Sequence, residues 1–245
     1  MFVSAWAGTS VRSVSADDFR VENQVFLGKE KEPVSRSTTI FHEGVVYDYM
    51  QEPSEAIVFD KAAGRFILLD MARRMQSELT TEQVATFAER LRRTAGAQED
   101  PFLQFLAAPK FDEQFDKEAG SLSLTSPWMT YRLLLVDAGS PAIAQQYREF
   151  SDWYARLNSM LHPGSKPPFA RLLLNEALVR YTVVPREVEL TVTPKKSFPP
   201  KKTTFRSRHE LARRVAQSDL DRVTQTREFM AIFQRVAFEQ YRKKP

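Results

Sequence analysis

The 245-residue sequence contains no cysteine, only 8 glycines and no long apolar run. The missing cysteines exclude disulfides and thiolate chemistry, but they suit an oxidising and a reducing compartment equally. Scarce glycine argues against the glycine-rich loops that cradle phosphates. The uninterrupted apolar stretches, such as Phe66–Leu69, are far too short to cross a bilayer as a helix. The composition therefore argues against the disulfide-rich, nucleotide-loop and helical membrane classes.

Catalytic and metal-binding signatures are also missing. The sequence contains no G-x-S-x-G, H-E-x-x-H, G-x-x-x-x-G-K or G-x-G-x-x-G pattern. Its three histidines, His42, His162 and His209, lie in separate segments, so we expect no metal site and no cofactor. The carboxylates at residues 112–116 and at Asp152 are expected to face solvent. The sequence thus indicates a non-enzymatic protein, and an enzyme whose site is assembled from scattered residues is the alternative.

The charge that is present is unevenly distributed. The whole chain has 35 Lys and Arg and 31 Asp and Glu, a net charge of +4. Residues 186–245 hold 15 of the basic and 7 of the acidic side chains, so this last quarter carries +8 and residues 1–185 carry −4. Such a surplus can meet an anionic partner or can be a solvated face.

The most basic segment, residues 195–208, has six cations, two phenylalanines and no acidic residue. Such a segment could bind phosphates or anionic lipid headgroups, and an extended solvated loop is the alternative. We expect nucleic acid least among these partners. For an anionic surface, the predicted contacts are Lys195, Lys196, Lys201, Lys202, Arg206 and Arg208.

Residues 1–16 differ in composition from the rest of the chain. An apolar start is followed by a segment rich in Ser and Val, which ends at Val14-Ser15-Ala16 before Asp17. Val14 and Ala16 fit the small residues that signal peptidase accepts at the −3 and −1 positions. We therefore interpret residues 1–16 as the remnant of a secretory signal and expect a periplasmic or otherwise exported protein. A frayed N-terminal arm on a cytoplasmic protein is the alternative.

Residues 18–70 alternate apolar and polar side chains, as strands do. Five short runs at roughly ten-residue spacing are separated by turn residues such as His42-Glu43-Gly44. This spacing predicts an antiparallel meander. Strand patterns return between residues 109 and 136 and again at residues 188–192 and 203–206, which gives a sheet of about eight or more strands.

Helix start signals appear at several points in the chain. Thr80 and Gln83 form a capping-box pattern, and Ser140-Pro141 supplies an N-cap and a proline at the first helical position. Pro167-Pro168 opens a further helix. Residues 207–210 form another capping-box pattern, and a long C-terminal helix is predicted from residue 218 to residue 241. The helix after Ser140 carries an apolar stripe formed by Ile143, Tyr147, Phe150, Tyr154, Leu157 and Leu161.

Phenylalanine is unusually frequent, with 18 residues against 3 Trp and 7 Tyr. Several of them fall on strands, where a curved sheet covered by helices can enclose a cavity for an apolar ligand. Ordinary core packing is the alternative, in particular for Phe41 and Tyr47. The predicted apolar lining of a ligand site is Phe41, Tyr47, Phe59, Phe66 and Leu68.

The segments Ser37–Phe41, Gly44–Tyr49, Ile57–Asp60 and Phe66–Asp70, with Gly64 before the last, share one strand rhythm. In this rhythm, residues 19–79 resemble the early strands of the lipoprotein-carrier family that is related to the outer-membrane carrier LolA. The resemblance implies a curved antiparallel sheet like an unclosed barrel, with helices in its concavity and acyl chains held between the two. A lipid or a lipidated protein is then the expected partner.

These patterns predict one α+β domain over residues 17–245, with a basic C-terminal quarter. Its curved antiparallel sheet resembles an unclosed barrel, and helices pack on one face. The functional hypothesis is a non-enzymatic exported protein that binds an apolar or lipid-like ligand between sheet and helices. The alternative is a structural or interaction protein that uses its basic C-terminal segment to contact an anionic partner.

Overall fold

The computed structural model of the protein describes residues 18–193 and 202–243, so the predicted signal remnant lies outside the described residues. The described part contains twelve strands and six helices. The strands are β1 (Phe19–Leu27), β2 (Ser35–His42), β3 (Val45–Met50), β4 (Glu55–Asp60), β5 (Arg65–Asp70), β6 (Met75–Thr80), β7 (Asp112–Asp116), β8 (Ser121–Thr125), β9 (Met129–Asp137), β10 (Val183–Val192), β11 (Thr203–Ala212) and β12 (Gln234–Arg235). The helices are α1 (Thr81–Gly96), α2 (Pro101–Ala107), α3 (Pro141–Leu161), α4 (Phe169–Arg180), α5 (Gln217–Ile232) and α6 (Phe238–Arg242).

All twelve strands form one sheet in the order β12-β6-β5-β4-β3-β2-β1-β11-β10-β9-β8-β7. Every pairing is antiparallel except that of β12 with β6. The sheet is curved and unclosed, and the chain is about equally helical and extended. The predicted α+β class with a curved antiparallel sheet is therefore confirmed.

The N-terminal meander has six strands rather than the five that the alternation predicts. Each strand from β1 to β6 pairs with the next through a short hairpin. The sixth strand, β6, was missed because its sequence MQSELT is mostly polar and shows little alternation. Its residues Gln76 and Ser77 are nevertheless buried.

Strand β11 joins the meander to the second group of strands, because it pairs with β1 on one side and with β10 on the other. The predicted capping box at residues 207–210 is therefore wrong. These residues lie in the middle of β11, where all four pair with β1 and where Ser207 and Arg208 also pair with β10. Pairing with a neighbouring strand overrides the local helix-start chemistry.

Two of the predicted helix starts are confirmed in atomic detail. The Gln83 backbone N–H donates to Thr80 Oγ1 at 3.1 Å, and the Thr80 N–H donates to Gln83 Oε1 at 2.8 Å. The Ile143 N–H donates to Ser140 Oγ at 3.1 Å, with Pro141 at the first position of α3. These side chains satisfy donors that a helix leaves unpaired at its start.

The long C-terminal helix that the sequence predicts is divided into α5 and α6. At Phe233 the backbone becomes extended (φ −71°, ψ 144°), and β12 then runs parallel to β6. Gln76 holds this break, because its Nε2 donates to the carbonyl oxygens of Met230 at 2.9 Å and Phe233 at 2.8 Å. These two bonds satisfy carbonyls that the end of α5 leaves without helical partners.

Helices cover both faces of the sheet. On one face, which we call the α3 face, α3 and α6 pack on β1–β6, and α4 packs on β8–β10. On the opposite face, the α5 face, Val223 of α5 and Phe233 pack on β2–β5. The prediction that helices pack on one face therefore holds for α3, α4 and α6, whereas α5 packs on the opposite face.

Candidate functional site

Four of the five predicted lining residues share the α3 face. Phe41, Phe59, Phe66 and Leu68 are at most 2% exposed and belong to the cluster under α3. Tyr47 is equally buried but lies on the α5 face, because its register partner is Ile40 rather than Phe41. Arg227 Nε of α5 donates to the Tyr47 hydroxyl at 3.1 Å. A one-residue step along a strand reverses the face, and this step separates Tyr47 from the other four.

The α3 face is lined by stacked aromatic rings. Phe59 and Phe66 stack across β4 and β5 with ring centroids 4.6 Å apart, and Phe41 stacks on Phe19 at 4.0 Å. From α3, Phe150 and Trp153 cover these rings. The Trp153 ring lies 6.3 Å from Phe59 and 6.5 Å from Phe66. Rings at these separations contribute packing energy beyond the area that they bury.

A cleft of about 370 Å³ opens between α1 and α3, directly beside this aromatic face. Its volume falls in the range of small-molecule pockets. Trp153 belongs both to the lining of the cleft and to the aromatic packing on Phe59 and Phe66, so its indole separates the two. The lining residues are Ala85 and Glu89 of α1, and Gln145, Arg148, Glu149, Asp152, Trp153 and Arg156 of α3.

Three charged residues form a stripe along α3 at this cleft: Arg148, Asp152 and Arg156, each four residues from the next. Arg148 Nε lies 3.3 Å from Asp152 Oδ2, and an Arg156 Nη atom donates to the backbone oxygen of Asp152 at 2.9 Å. The Arg156 guanidinium also lies over the Trp153 ring, 5.3 Å from its centroid. Both guanidinium groups therefore contact the helical turn that contains Asp152.

Asp152 is less exposed than the sequence predicts. Its side chain is 17% exposed, because Asn175 of α4 donates to Asp152 Oδ1 at 2.9 Å and Arg148 lies on its other side. Burial raises the pKa of the Asp152 carboxyl, against the opposing effects of Asn175 and the neighbouring arginines. The expectation that Asp152 faces water is therefore wrong.

The residues predicted to contact an anionic surface are only partly described. Lys195, Lys196 and Lys201 lie outside the described residues. Lys202 is exposed and immediately precedes β11.

Arg206 and Arg208 lie on β11 opposite acidic residues of β10: Arg206 is the register partner of Glu189, and Arg208 is that of Glu187. Arg208 Nε is 3.6 Å from Glu187 Oε2. A shallow cleft of about 500 Å³ beside Arg208 also includes Glu22, Glu187 and Glu210 in its lining. This face therefore carries cross-strand pairs of opposite charge.

A second polar feature crosses the α3 face as a chain of hydrogen bonds, which we call the β11–β3 chain. Ser207 Oγ lies 2.9 Å from His209 Nε2, and His209 Nδ1 lies 2.8 Å from Asn23 Oδ1. Asn23 Nδ2 then donates to Thr39 Oγ1 at 3.0 Å, and Thr39 donates to Asp48 Oδ1 at 2.7 Å. Four neighbouring strands each contribute at least one side chain.

The first part of the β11–β3 chain has the order of a nucleophile, a base and an orienting group. Burial, with a smaller contribution from Arg171, lowers the pKa of His209 to about 3, far below that of an efficient base at neutral pH. Asn23 is neutral and cannot stabilise an imidazolium as a carboxylate does. We therefore assign this chain to the structure of the sheet.

Within residues 18–193 and 202–243, no group of three or more His, Cys, Asp or Glu side chains is arranged to hold a metal ion. None of the helices in the same ranges is long and apolar enough to span a membrane.

No protein-family model matches the chain, and no curated protein matches it. The resemblance to lipoprotein carriers therefore stays a prediction.

Sequence reasoning missed the residues that make the cleft. Trp153, Arg148 and Arg156 lie beside the apolar stripe of α3, whose members were predicted from their spacing. The spacing of 148, 152 and 156 was available as a signal, because positions four apart share one side of a helix. The partner of that side, α1, could not be deduced from this spacing.

Proposed function

We propose that the protein binds an apolar or lipid-like ligand between the sheet and α3, without a chemical step. The ligand enters through the cleft between α1 and α3 and displaces the Trp153 indole. Its tail then lies on the rings of Phe59 and Phe66. Export of the protein and the lipoprotein-carrier resemblance over residues 19–79 belong to the same proposal.

The position of Trp153 carries this proposal. One side of the indole lines a ligand-sized cleft, and the other packs on an aromatic sheet face. The face beneath it is already apolar, so an alkyl chain that replaced the indole would keep these rings away from water. Binding thus exchanges one apolar contact for another, and the rotation of a single side chain opens the way.

Fluorescence quenching tests the proposal directly. In a Trp6→Phe/Trp128→Phe variant, Trp153 is the only tryptophan. Brominated dodecanol, an uncharged single-chain probe, is expected to quench it in a saturable manner. Native mass spectrometry of the protein with unlabelled dodecanol supplies the stoichiometry, and one bound molecule is expected.

A matched pair of substitutions on α1 tests the route. Ala85→Phe fills the cleft from the α1 side and is expected to abolish quenching. Thr86→Phe adds the same ring at the next, exposed position and is expected to leave quenching unchanged. Quenching that is absent in the parent protein, or equal in the two variants, would overturn the proposed function.

A further inference from the structure

The rim of the α1–α3 cleft is strongly charged, although its floor is an indole. An alkyl chain alone makes no use of Arg148, Asp152 and Arg156. The two arginines flank one helical turn, and the Arg156 guanidinium lies over the Trp153 ring. A polar group at this position would lie at the head of any chain that passes the indole.

The cations and the other carboxylates of the cleft differ in how they are paired. Glu149 is held by Lys61 at 2.8 Å, and Glu89 lies 3.8 Å from Arg92. In contrast, no carboxylate oxygen among the described residues lies within 4.0 Å of the Arg156 guanidinium. Glu149 and Glu89 are thus paired with other cations, while the Arg156 guanidinium has N–H groups that can donate to an incoming anion.

Two further polar atoms at this turn have no hydrogen-bond partner in the described part of the chain. Arg148 Nε is buried and makes no hydrogen bond, although Asp152 is near. Asn175 is 1% exposed, and its Oδ1 accepts no hydrogen bond. Buried polar atoms are rarely left unpaired. Arg148 Nε is a donor from which an anion could accept, whereas Asn175 Oδ1 is an acceptor and does not favour an anion.

Asp152 occupies the place that an external anion would take. Its carboxylate lies between the Arg148 guanidinium and the Asn175 amide. Burial raises the pKa of Asp152 and lowers the pKa of Arg156, so both groups are less stable as ions here than in water. A bound anion would replace Asp152 as the partner of the Arg148 guanidinium.

We propose that the Arg148–Asp152–Arg156 stripe is a headgroup site for a single-chain amphiphile with an anionic head, and that the Asp152 carboxylate competes with this head for Arg148. The inference rests on the proposed function, because the tail would occupy the space beside Trp153. The head would be a carboxylate or a phosphate, both of which accept hydrogen bonds from guanidinium groups in a bidentate manner.

Three probes of equal chain length separate the two proposals: dodecanol, dodecanoate and dodecyl phosphate, each used below its critical micelle concentration. The Trp153-only protein is expected to bind both anions at least about tenfold more tightly than dodecanol, as one charge-assisted hydrogen bond supplies. A difference between the two anions identifies the preferred head.

Substitution of the two arginines and substitution of Asp152 are expected to change the affinity for the anions in opposite directions. Arg156→Gln and Arg148→Gln are each expected to reduce the preference for the anions over dodecanol by about tenfold. Asp152→Asn, which removes the internal competitor, is expected to strengthen anion binding. Arg90→Gln, at an exposed position of α1 outside the cleft, is the control and is expected to change neither.

The possible failures are distinct. If dodecanol binds but the anions bind no better, or if Arg156→Gln keeps the preference for anions, the headgroup site is refuted and the proposed function stands. If no probe binds, both proposals fall. An unchanged affinity in Asp152→Asn would refute the competition even where the arginines matter.

Discussion

His209 Nδ1 lies 2.8 Å from Asn23 Oδ1 and thereby connects β11 to β1, at the junction of the N-terminal meander with the later strands. Asn23 Nδ2 is a donor to Thr39, so the amide oxygen faces His209 and the imidazole proton lies on Nδ1. His209 Nε2 is then an acceptor for Ser207. The β11–β3 chain has one direction, from the Ser207 hydroxyl to the Asp48 carboxylate.

Thr39→Val is expected to destabilise the protein, because Thr39 is the link between Asn23 and Asp48. The substitution keeps the size and β-branching of the side chain but removes the hydroxyl that accepts from one and donates to the other. The residue is 4% exposed, so both partners lose a buried hydrogen bond. We expect a loss of about 1–3 kcal/mol in the free energy of unfolding, measured by urea denaturation.

Thr38→Val is the matched control for this prediction. Thr38 precedes Thr39 on β2 and points to the opposite face, where the β11–β3 chain does not run. The same change there is expected to have little effect. Equal losses in the two variants would mean that the hydroxyl of Thr39 contributes nothing specific.

The buried Asp48 carboxyl is expected to make the free energy of unfolding decrease as the pH rises. Burial raises its pKa from 3.8 to about 6, and hydrogen bonds from Thr39 and Ser37 only partly oppose this effect. The folded state therefore retains a proton that the unfolded state loses, so stability present below about pH 4 is lost as the pH rises through 6. The pKa change corresponds to about 3 kcal/mol. Asp48→Asn is expected to gain stability relative to the parent protein over this window, in urea denaturation at pH 4 to 8.

The pKa of His209 is shifted in the opposite direction to that of Asp48, so its effect on stability has the opposite pH dependence and serves as an internal comparison. Its pKa is lowered from 6.5 to about 3, so its contribution is present above pH 6.5 and is lost as the pH falls toward 3. His209→Gln is therefore expected to gain relative stability on acidification, whereas Asp48→Asn gains on alkalinisation. The same pH dependence in both variants would contradict the assigned ionisation states.

The meander could be predicted because its information is local. The alternation along β2 to β5 and the turn residues between them determine strands whose neighbours in sequence are neighbours in space. The position of β11 between β1 and β10 depends on pairing with β1, whose residues are 178 to 192 positions away in sequence. No local pattern contains that information. For that reason Ser207–Glu210, a sound capping-box pattern, was assigned to the wrong element.

The candidate site was predictable only in its apolar half. Phe59 and Phe66 alternate correctly on their strands, so their common face follows from the sequence. Tyr47 pairs with Ile40 and therefore lies on the opposite face, so its inclusion in the predicted lining is wrong. The cleft itself requires the packing of α1 against α3, and the surroundings of Asp152 depend on its contact with Asn175 of α4, which no local pattern contains.

Gly139→Ala is expected to destabilise the protein through two separate effects. Gly139 has a φ of +88°, a conformation that costs side-chain-bearing residues about 1–2 kcal/mol. A Cβ at this position would also lie 2.6 Å from Arg213 Nε, whose guanidinium donates to the Asp137 carbonyl oxygen at 3.1 Å. The added methyl group must displace this guanidinium and break the bond that ties the end of β9 to the segment after β11.

Gly28→Ala separates the two effects. Gly28 also has a positive φ, +59°, but a Cβ there would meet no described atom within 4 Å. Its substitution is expected to cost the conformational part alone, so the loss for Gly139→Ala in thermal or urea unfolding should be the larger. In an Arg213→Ala background, the excess cost at Gly139 is expected to disappear. If the excess survives the removal of Arg213, the close approach of its guanidinium is not its cause.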